Sequence, residues 1–130
     1  MSTFDRATGE DLAVAVTRML LDQFESGGTT DWVVEEHAIG GSNWRGYRLS
    51  RAQFSVEILH CSDGGRHNYD VRLAEAKQRI GTISSNSARF DDLDIDENPL
   101  GSLFHAVAAR ARLAREAVVT KAAERVMGIE

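Results

Sequence analysis

Residues 54–73 read FSVEILHCSDGGRHNYDVRL, and this stretch decides the fold. In both halves of it, apolar side chains alternate with polar ones, which is the period of a strand buried on one face. Between the halves, residues 62–65 read Ser-Asp-Gly-Gly, a composition that favours a tight turn. The stretch therefore predicts a β-hairpin with strands at 54–61 and 67–74.

Three more strand-like segments flank this hairpin. They are rich in aromatic and β-branched residues and are separated by turn residues such as Gly40 and Gly41. The residues that face inward have odd numbers around Leu49 but even numbers around Val56. Since one regular strand cannot hold both sets on one face, we expect a break or bulge near residues 50–53. The predicted strands of the whole sheet lie at about 32–39, 44–49, 54–61, 67–74 and 79–84.

Both ends of the chain have the helical period instead. A first helix is predicted over 8–26, with Thr8 as its N-cap and a glycine pair after its end. A long second helix is predicted over 99–127, because Asn98 is a good N-cap and the proline after it suits the first helical position. An acidic loop over 85–98 leads into this helix.

These segments predict a single α+β domain over 1–130, with an antiparallel meander sheet of four or five strands. The N-terminal helix and the long C-terminal helix flank the sheet on one face. A helix-grip arrangement remains open, in which a curved sheet wraps the long helix around an apolar cavity. That alternative predicts a binder of a small hydrophobic ligand, with a site lined by Phe54, Val56, Tyr69, Phe104 and Val107.

Composition narrows the classes of function. The formal net charge of −5 argues against a general nucleic-acid binder, which usually carries a basic face. The first twelve residues lack the pattern of a secretory signal, and apolar stretches fall well short of the roughly 18 residues that span a membrane. Since the chain has one cysteine, it forms no internal disulfide. We expect a cytoplasmic protein that binds neither nucleic acid nor membrane.

The acidic loop resembles a calcium loop only in part. Asp92, Asp94 and Asp96 have the spacing of the first three ligands of an EF-hand. Such a loop then needs glycine at its sixth position and glutamate at its twelfth, where this chain has Glu97 and Leu103. The carboxylates are better explained as complements to the dipole of the following helix. We therefore expect no calcium site here.

The predicted hairpin also carries metal-binding and nucleophilic residue types: His60, Cys61, Asp63 and His67. Adjacent strand residues point to opposite faces, so at most one of His60 and Cys61 can join His67. No paired-cysteine or HExxH spacing supplies further ligands, and we expect neither a metal nor a cofactor. A small enzyme using Cys61 with His37 or His67 as its base stays possible, since tertiary geometry decides such pairs.

The two helices suggest a surface for a partner. The first helix has apolar residues outside its main stripe, which either are covered within the fold or meet another chain. At about 1.5 Å per residue the last helix would be roughly 42 Å long, about twice the length of a strand. Our leading hypothesis is a non-enzymatic, self-associating protein-interaction module such as an adaptor, small chaperone or regulator. Its predicted contact residues are Val14, Leu21, Ala106, Ala109, Leu113 and Ala117.

Overall fold

A computed structural model of the chain describes residues 5–27 and 31–129. It confirms the predicted α+β class, with an antiparallel sheet and one helix at each end of the chain. Two short 3-10 turns, 88–90 and 95–97, lie within the predicted acidic loop. The helices and strands in chain order are α1 (Arg6–Glu25), β1 (Val33–Ala38), β2 (Arg45–Arg51), β3 (Phe54–Asp63), β4 (Arg66–Glu75), β5 (Gln78–Ser84) and α2 (Pro99–Met127).

The sheet is a meander in which each strand pairs antiparallel with the next, in the order β1-β2-β3-β4-β5. The central hairpin turns through Gly64 and Gly65, whose φ angles are 57° and 84°. Two positive φ angles suit the tight turn that matches the twist of the flanking strands. The break expected near residues 50–53 is also a turn, because Arg51 pairs with Phe54 and Ala52 has a φ of 53°. The turn explains the change of parity between β2 and β3.

The caps of the two helices differ in how well sequence predicted them. Asp5, and not Thr8, caps α1, and its carboxylate accepts the Thr8 backbone N–H at 2.7 Å. The expected Thr8 cap was wrong because a better acceptor lies three residues earlier. Asn98 caps α2 as predicted, and its side-chain oxygen accepts the Leu100 N–H at 2.9 Å. The N-terminal limit of α1 is therefore two residues earlier than expected.

The core lies between one face of the sheet and both helices. Helix α1 approaches β5 so closely that a Cβ on Gly81 would lie 2.4 Å from the Gly9 carbonyl oxygen. Only glycine allows the two backbones to meet in this way. The buried hydrophobic residues of this core are Ala13, Leu20, Phe24, Leu49, Val56, Ile58, Tyr69, Val71, Leu73, Ile83, Phe90, Leu100, Leu103 and Val107.

Helix α2 packs beside α1 as well as on the sheet. The Arg110 guanidinium lies 5.0 Å from the centre of the Phe24 ring and donates to the Phe24 carbonyl at 3.4 Å. Val14 and Leu21, on the flank of α1, are half-buried and pack against the core. The wide apolar arc of α1 is therefore covered, at these two positions, within the chain itself.

Candidate functional site

The second half of α2 extends beyond the rest of the fold. Every residue from 112 to 129 is exposed, and we call this stretch the free segment. In the first half of the helix, by contrast, Leu100, Leu103 and Val107 are completely buried. Large apolar side chains are nevertheless exposed along the free segment: Leu113, Val118, Val119, Val126, Met127 and Ile129, which are 58–84% accessible.

The apolar stripe that holds α2 on the sheet continues into the free segment. Leu100 and Val107 are separated by seven residues and are both fully buried. Ala114 is seven residues further along and Val118 four beyond that, so all four positions share one side of the helix. Val118 is 68% exposed. The stripe thus continues uncovered as far as Val118, beyond which its next positions are Lys121 and Arg125.

Strand β1 forms an edge of the sheet on this side of the molecule. Within residues 5–27 and 31–129 it pairs only with β2, and Val33, Glu35 and Glu36 are exposed. The Arg115 guanidinium contacts the Glu36 carboxylate, which shows that α2 passes over β1 where the free segment begins. An exposed edge strand presents unpaired backbone groups on which another chain can pair or pack. The edge and the free segment together form one continuous exposed region.

The free segment is basic, although the chain as a whole is acidic. It holds four basic side chains, at positions 112, 115, 121 and 125, against two acidic ones, Glu116 and Glu124. The chain carries a formal net charge of −5, and β1 exposes two glutamates in succession. The free segment is therefore complementary in charge to Glu36, whereas Glu35 points to the opposite face of the sheet.

A second region of interest is a cavity of about 330 Å³ at the start of α2, which we call the histidine cavity. Three of the four histidines of the chain meet there from three separate elements. The His60 Nε2 lies 2.9 Å from the His67 Nδ1, and the Tyr69 hydroxyl lies 3.4 Å from the His105 Nε2. The residues that line the cavity are His60, His67, Tyr69, Asp96, Gly101, Ser102 and His105.

The surroundings of this cavity shift the proton affinity of two of its groups. Burial lowers the pKa of His60, and the neighbouring His67 and His105 lower it further because they would repel a second charge. Burial also raises the pKa of Tyr69, with a smaller contribution from Asp96. His60 and Tyr69 are thus both neutral at neutral pH. Over residues 5–27 and 31–129, no cluster of three or more His, Cys, Asp or Glu side chains is arranged to hold a metal ion.

Cys61 lies on the opposite face of the sheet from this cavity. It follows His60 in β3, so alternation along the strand directs the two side chains to different faces. His37 lies with Cys61 on the face of the sheet opposite the helices, which we call the outer face. Its Nε2 lies 2.5 Å from the Glu57 carboxylate and 3.4 Å from the Arg48 guanidinium. The histidines proposed as bases for Cys61 are thus on the other face or engaged with other groups. This arrangement weighs against the enzyme hypothesis.

The ligand site expected for a helix-grip fold is divided in this structure. Phe54 and Val56 line an apolar cavity of about 390 Å³ beside α1, whereas Tyr69 lines the histidine cavity. The Phe104 ring lies 5.6 Å from the Tyr69 ring and 5.3 Å from that of His60, centre to centre. Val107 is fully buried and lines neither cavity. The five residues therefore do not surround one common space.

The residues predicted to contact a partner also fall into two groups. Val14, Leu21 and Ala106 are half-buried and pack against the core. Ala109, Leu113 and Ala117 are exposed. Sequence reasoning overlooked the exposed residues near the C-terminus, Val118, Val119, Val126, Met127 and Ile129. The excess length of α2 over the strands was the signal that could have identified them.

Comparisons with known proteins give no relative from which a function could be transferred. No protein family, no curated protein and no solved structure matches the chain. Among the residues described, no helix combines the length and the apolar character needed to cross a membrane. Any statement about function therefore rests on the surfaces and cavities of this molecule.

Proposed function

We propose that this chain is a non-enzymatic protein-interaction module that works as a homodimer, in the manner of an adaptor, small chaperone or regulator. In the proposed dimer, the free segment of each chain packs on the β1 edge of its partner. The observation that carries the proposal is the exposure of the free segment, in which the stripe that anchors α2 continues through Ala114 to Val118 without cover.

Charge supports a second copy of the chain as the occupant. The basic free segment and the acidic β1 edge lie side by side in one chain, and Arg115 already contacts Glu36 across them. A two-fold axis near this contact would place each basic segment against the acidic edge of the other chain. Because such an interface is self-complementary, the same contacts would be made twice.

The size of the exposed surface sets an upper limit for the dimer interface. Specific interfaces involve roughly 20–30 residues from each partner. The free segment has 18 residues and β1 has 6, but only one side of a helix can face a partner, so the interface would bury only part of these residues.

The first test measures absolute mass by light scattering across a dilution series, with native mass spectrometry on the same sample. We expect a dimer for the wild-type chain. Val118→Glu places a charge on the continued stripe and should give a monomer. Leu113→Glu combined with Ala117→Glu should have the same effect, since these residues lie on the side of the helix that faces α1 in its first half.

Val119→Glu is the matched control. Val119 is 58% exposed and Val118 is 68% exposed, but the two side chains lie about 100° apart around the helix. Circular dichroism should show that both variants remain folded, because both sites are exposed. A wild-type chain that stays monomeric at all concentrations would refute the dimer. A dimer that survives Val118→Glu but not Val119→Glu would place the interface on the other side of the segment.

A further inference from the structure

The cavity beside α1 has an unusual combination of an apolar interior and a basic opening. Its volume is about 390 Å³, at the lower end of the range for small-molecule sites. We call it the apolar cavity. Of the eleven lining residues that the structure describes, nine are apolar, so the body of a ligand would also have to be apolar. They are Leu12, Val16, Trp32, Ala52, Phe54, Val56, Leu73, Ala74 and Ile80, and the remaining two are Arg51 and Ser55.

The position of α1 explains why this space is open. The contact of Gly9 with Gly81 holds the beginning of α1 directly on β5. The buried stripe of the helix continues through Ala13 and Leu20, while Leu12 and Val16 lie on the flank away from Val14 and Leu21. One flank of α1 therefore packs toward the core beside α2, and the other forms a wall of the apolar cavity. Leu12 and Val16 on the second flank are half-buried.

Arg51 supplies the charge at the opening of the cavity. It is the last residue of β2 and pairs with Phe54 across the turn, on the covered face of the sheet. Its guanidinium lies 3.7 Å from the Asp31 carboxylate, which is longer than a hydrogen bond, and its side chain is 57% exposed. The guanidinium can therefore accept a further anionic partner without leaving a buried group unpaired.

Further basic side chains lie near the opening of the apolar cavity. An adjoining hollow shares Ala52 and Phe54 with the apolar cavity, and Arg48, Lys77 and Arg79 line it. Glu57 also lines this hollow, where its carboxylate lies 3.7 Å from the Arg48 guanidinium, and Glu75 accepts from the Gln53 amide at 3.4 Å. Near the opening, the basic residues Arg48, Arg51, Lys77 and Arg79 therefore outnumber the acidic residues Asp31, Glu57 and Glu75 by one.

We propose that the apolar cavity binds a small monocarboxylic acid with an apolar body, and that Arg51 holds its carboxylate. The two N–H groups of a guanidinium edge match the two oxygens of a carboxylate, which makes arginine the suitable residue for this role. The apolar body would replace water along the walls formed by Val16, Val56 and Leu73. This site is separate from the free segment, and the proposal does not depend on the homodimer.

The test compares decanoate with decan-1-ol, which share a chain length but differ in charge. Trp32 lines the cavity and can report binding by fluorescence in a Trp44→Phe background, because the second tryptophan lies beside Arg72 on the outer face. Calorimetry gives the affinities. We expect decanoate to bind about tenfold or more tightly than decan-1-ol, as is usual for a hydrogen bond to a charged group.

Two variants separate the two parts of the proposal. Arg51→Gln should remove the preference for decanoate while decan-1-ol still binds. Val16→Trp should fill the cavity and prevent both from binding. Arg18→Gln is the matched control, since Arg18 is exposed on α1 but does not line the cavity, and it should leave both affinities unchanged.

The outcomes that overturn the proposal are distinct. Equal affinities for decanoate and decan-1-ol, or a preference that survives Arg51→Gln, would refute the role of Arg51. Failure of both probes to bind the wild-type chain, or binding that Val16→Trp leaves intact, would refute the cavity as the site. Circular dichroism on Val16→Trp distinguishes a filled cavity from a misfolded chain, and Leu12→Trp provides a second filling variant from the same wall.

Discussion

Leu103 and Leu113 lie ten residues apart in the same helix and have opposite environments. Leu103 is completely buried between the sheet and α1, whereas Leu113 is 60% exposed on the free segment. Helical propensity is the same for both, so tertiary packing alone separates the two halves of α2. The difference shows that the first half of the helix belongs to the core of this chain, while the second half is available to another molecule.

The same substitution in the two halves should give the largest contrast. Leu103→Ala removes a fully buried side chain and should lower the free energy of unfolding by about 2–5 kcal/mol, since it leaves a cavity. Leu113→Ala should change it by less than about 0.5 kcal/mol in the monomer. Urea denaturation of both variants, in a Val118→Glu background, checks this. Similar losses at the two sites would mean that the free segment is part of the folded core.

The division of α2 could not be predicted from its sequence, although the helix itself could. Asn98, the proline after it and the regular apolar stripe define the helix, and each is a local signal. The residue at which α2 stops being buried depends on where the sheet ends beneath the helix. That position is set by the tertiary structure. The length comparison between helix and strand left an overhang, a bend or packing against another partner as alternatives, and it did not indicate that residues 112–129 would be exposed.

The same distinction applies to the cavities. The hairpin that brings His60 close to His67 was predicted from alternation and a glycine turn. His105 lies beside them because of the way α2 crosses the sheet, and no spacing in the sequence indicates this crossing. In the apolar cavity, Phe54 and Val56 were expected as ligand contacts because the alternation of β3 places both on its inward face. Arg51 was overlooked because its role depends on the turn at Ala52, which places it next to Phe54 on the covered face.

Acidification should weaken the packing of the first half of α2, residues 99–111, which we call the anchored half. It should leave the free segment unaffected. His60 lies beside Phe104 of the anchored half, whereas residues 112–129 include no histidine. The pKa of His60 is lowered in the folded state, so the unfolded chain takes up the proton first. The stability that neutral His60 contributes is complete above the unfolded value of 6.5 and is lost as pH falls through the lower folded value.

The groups that face His60 in the histidine cavity are His67, Tyr69, Asp96 and His105, and the first and last of these add repulsion when protonated. The wild-type chain should therefore lose more unfolding free energy between pH 7.5 and 5 than His60→Gln does. Urea denaturation at the two pH values measures the difference, and carboxylates that titrate in both proteins cancel. Equal losses would show that the cluster does not couple protonation to folding.

The smallest effect on stability is expected for a substitution of Arg115, near the point where the two halves of α2 meet. Arg115 makes the last contact of the helix with the sheet, through Glu36, and both side chains are about two-thirds exposed. Exposed ion pairs contribute about 0–1 kcal/mol, so Arg115→Gln should hardly change global stability. It should instead raise amide hydrogen exchange in the helix just before and after position 115, because the free segment would then begin closer to the core.

Arg112→Gln is the control for this experiment, because Arg112 pairs with Glu116 within the helix at 3.8 Å and makes no contact with the sheet that the structure describes. Both variants are compared in the Val118→Glu background, so that self-association does not protect the segment. Faster exchange in Arg115→Gln alone would place the boundary of the anchored half at the Glu36 contact. Equal exchange in the two variants would place it at Val107, the last fully buried residue of the helix, and would make the contact with β1 incidental.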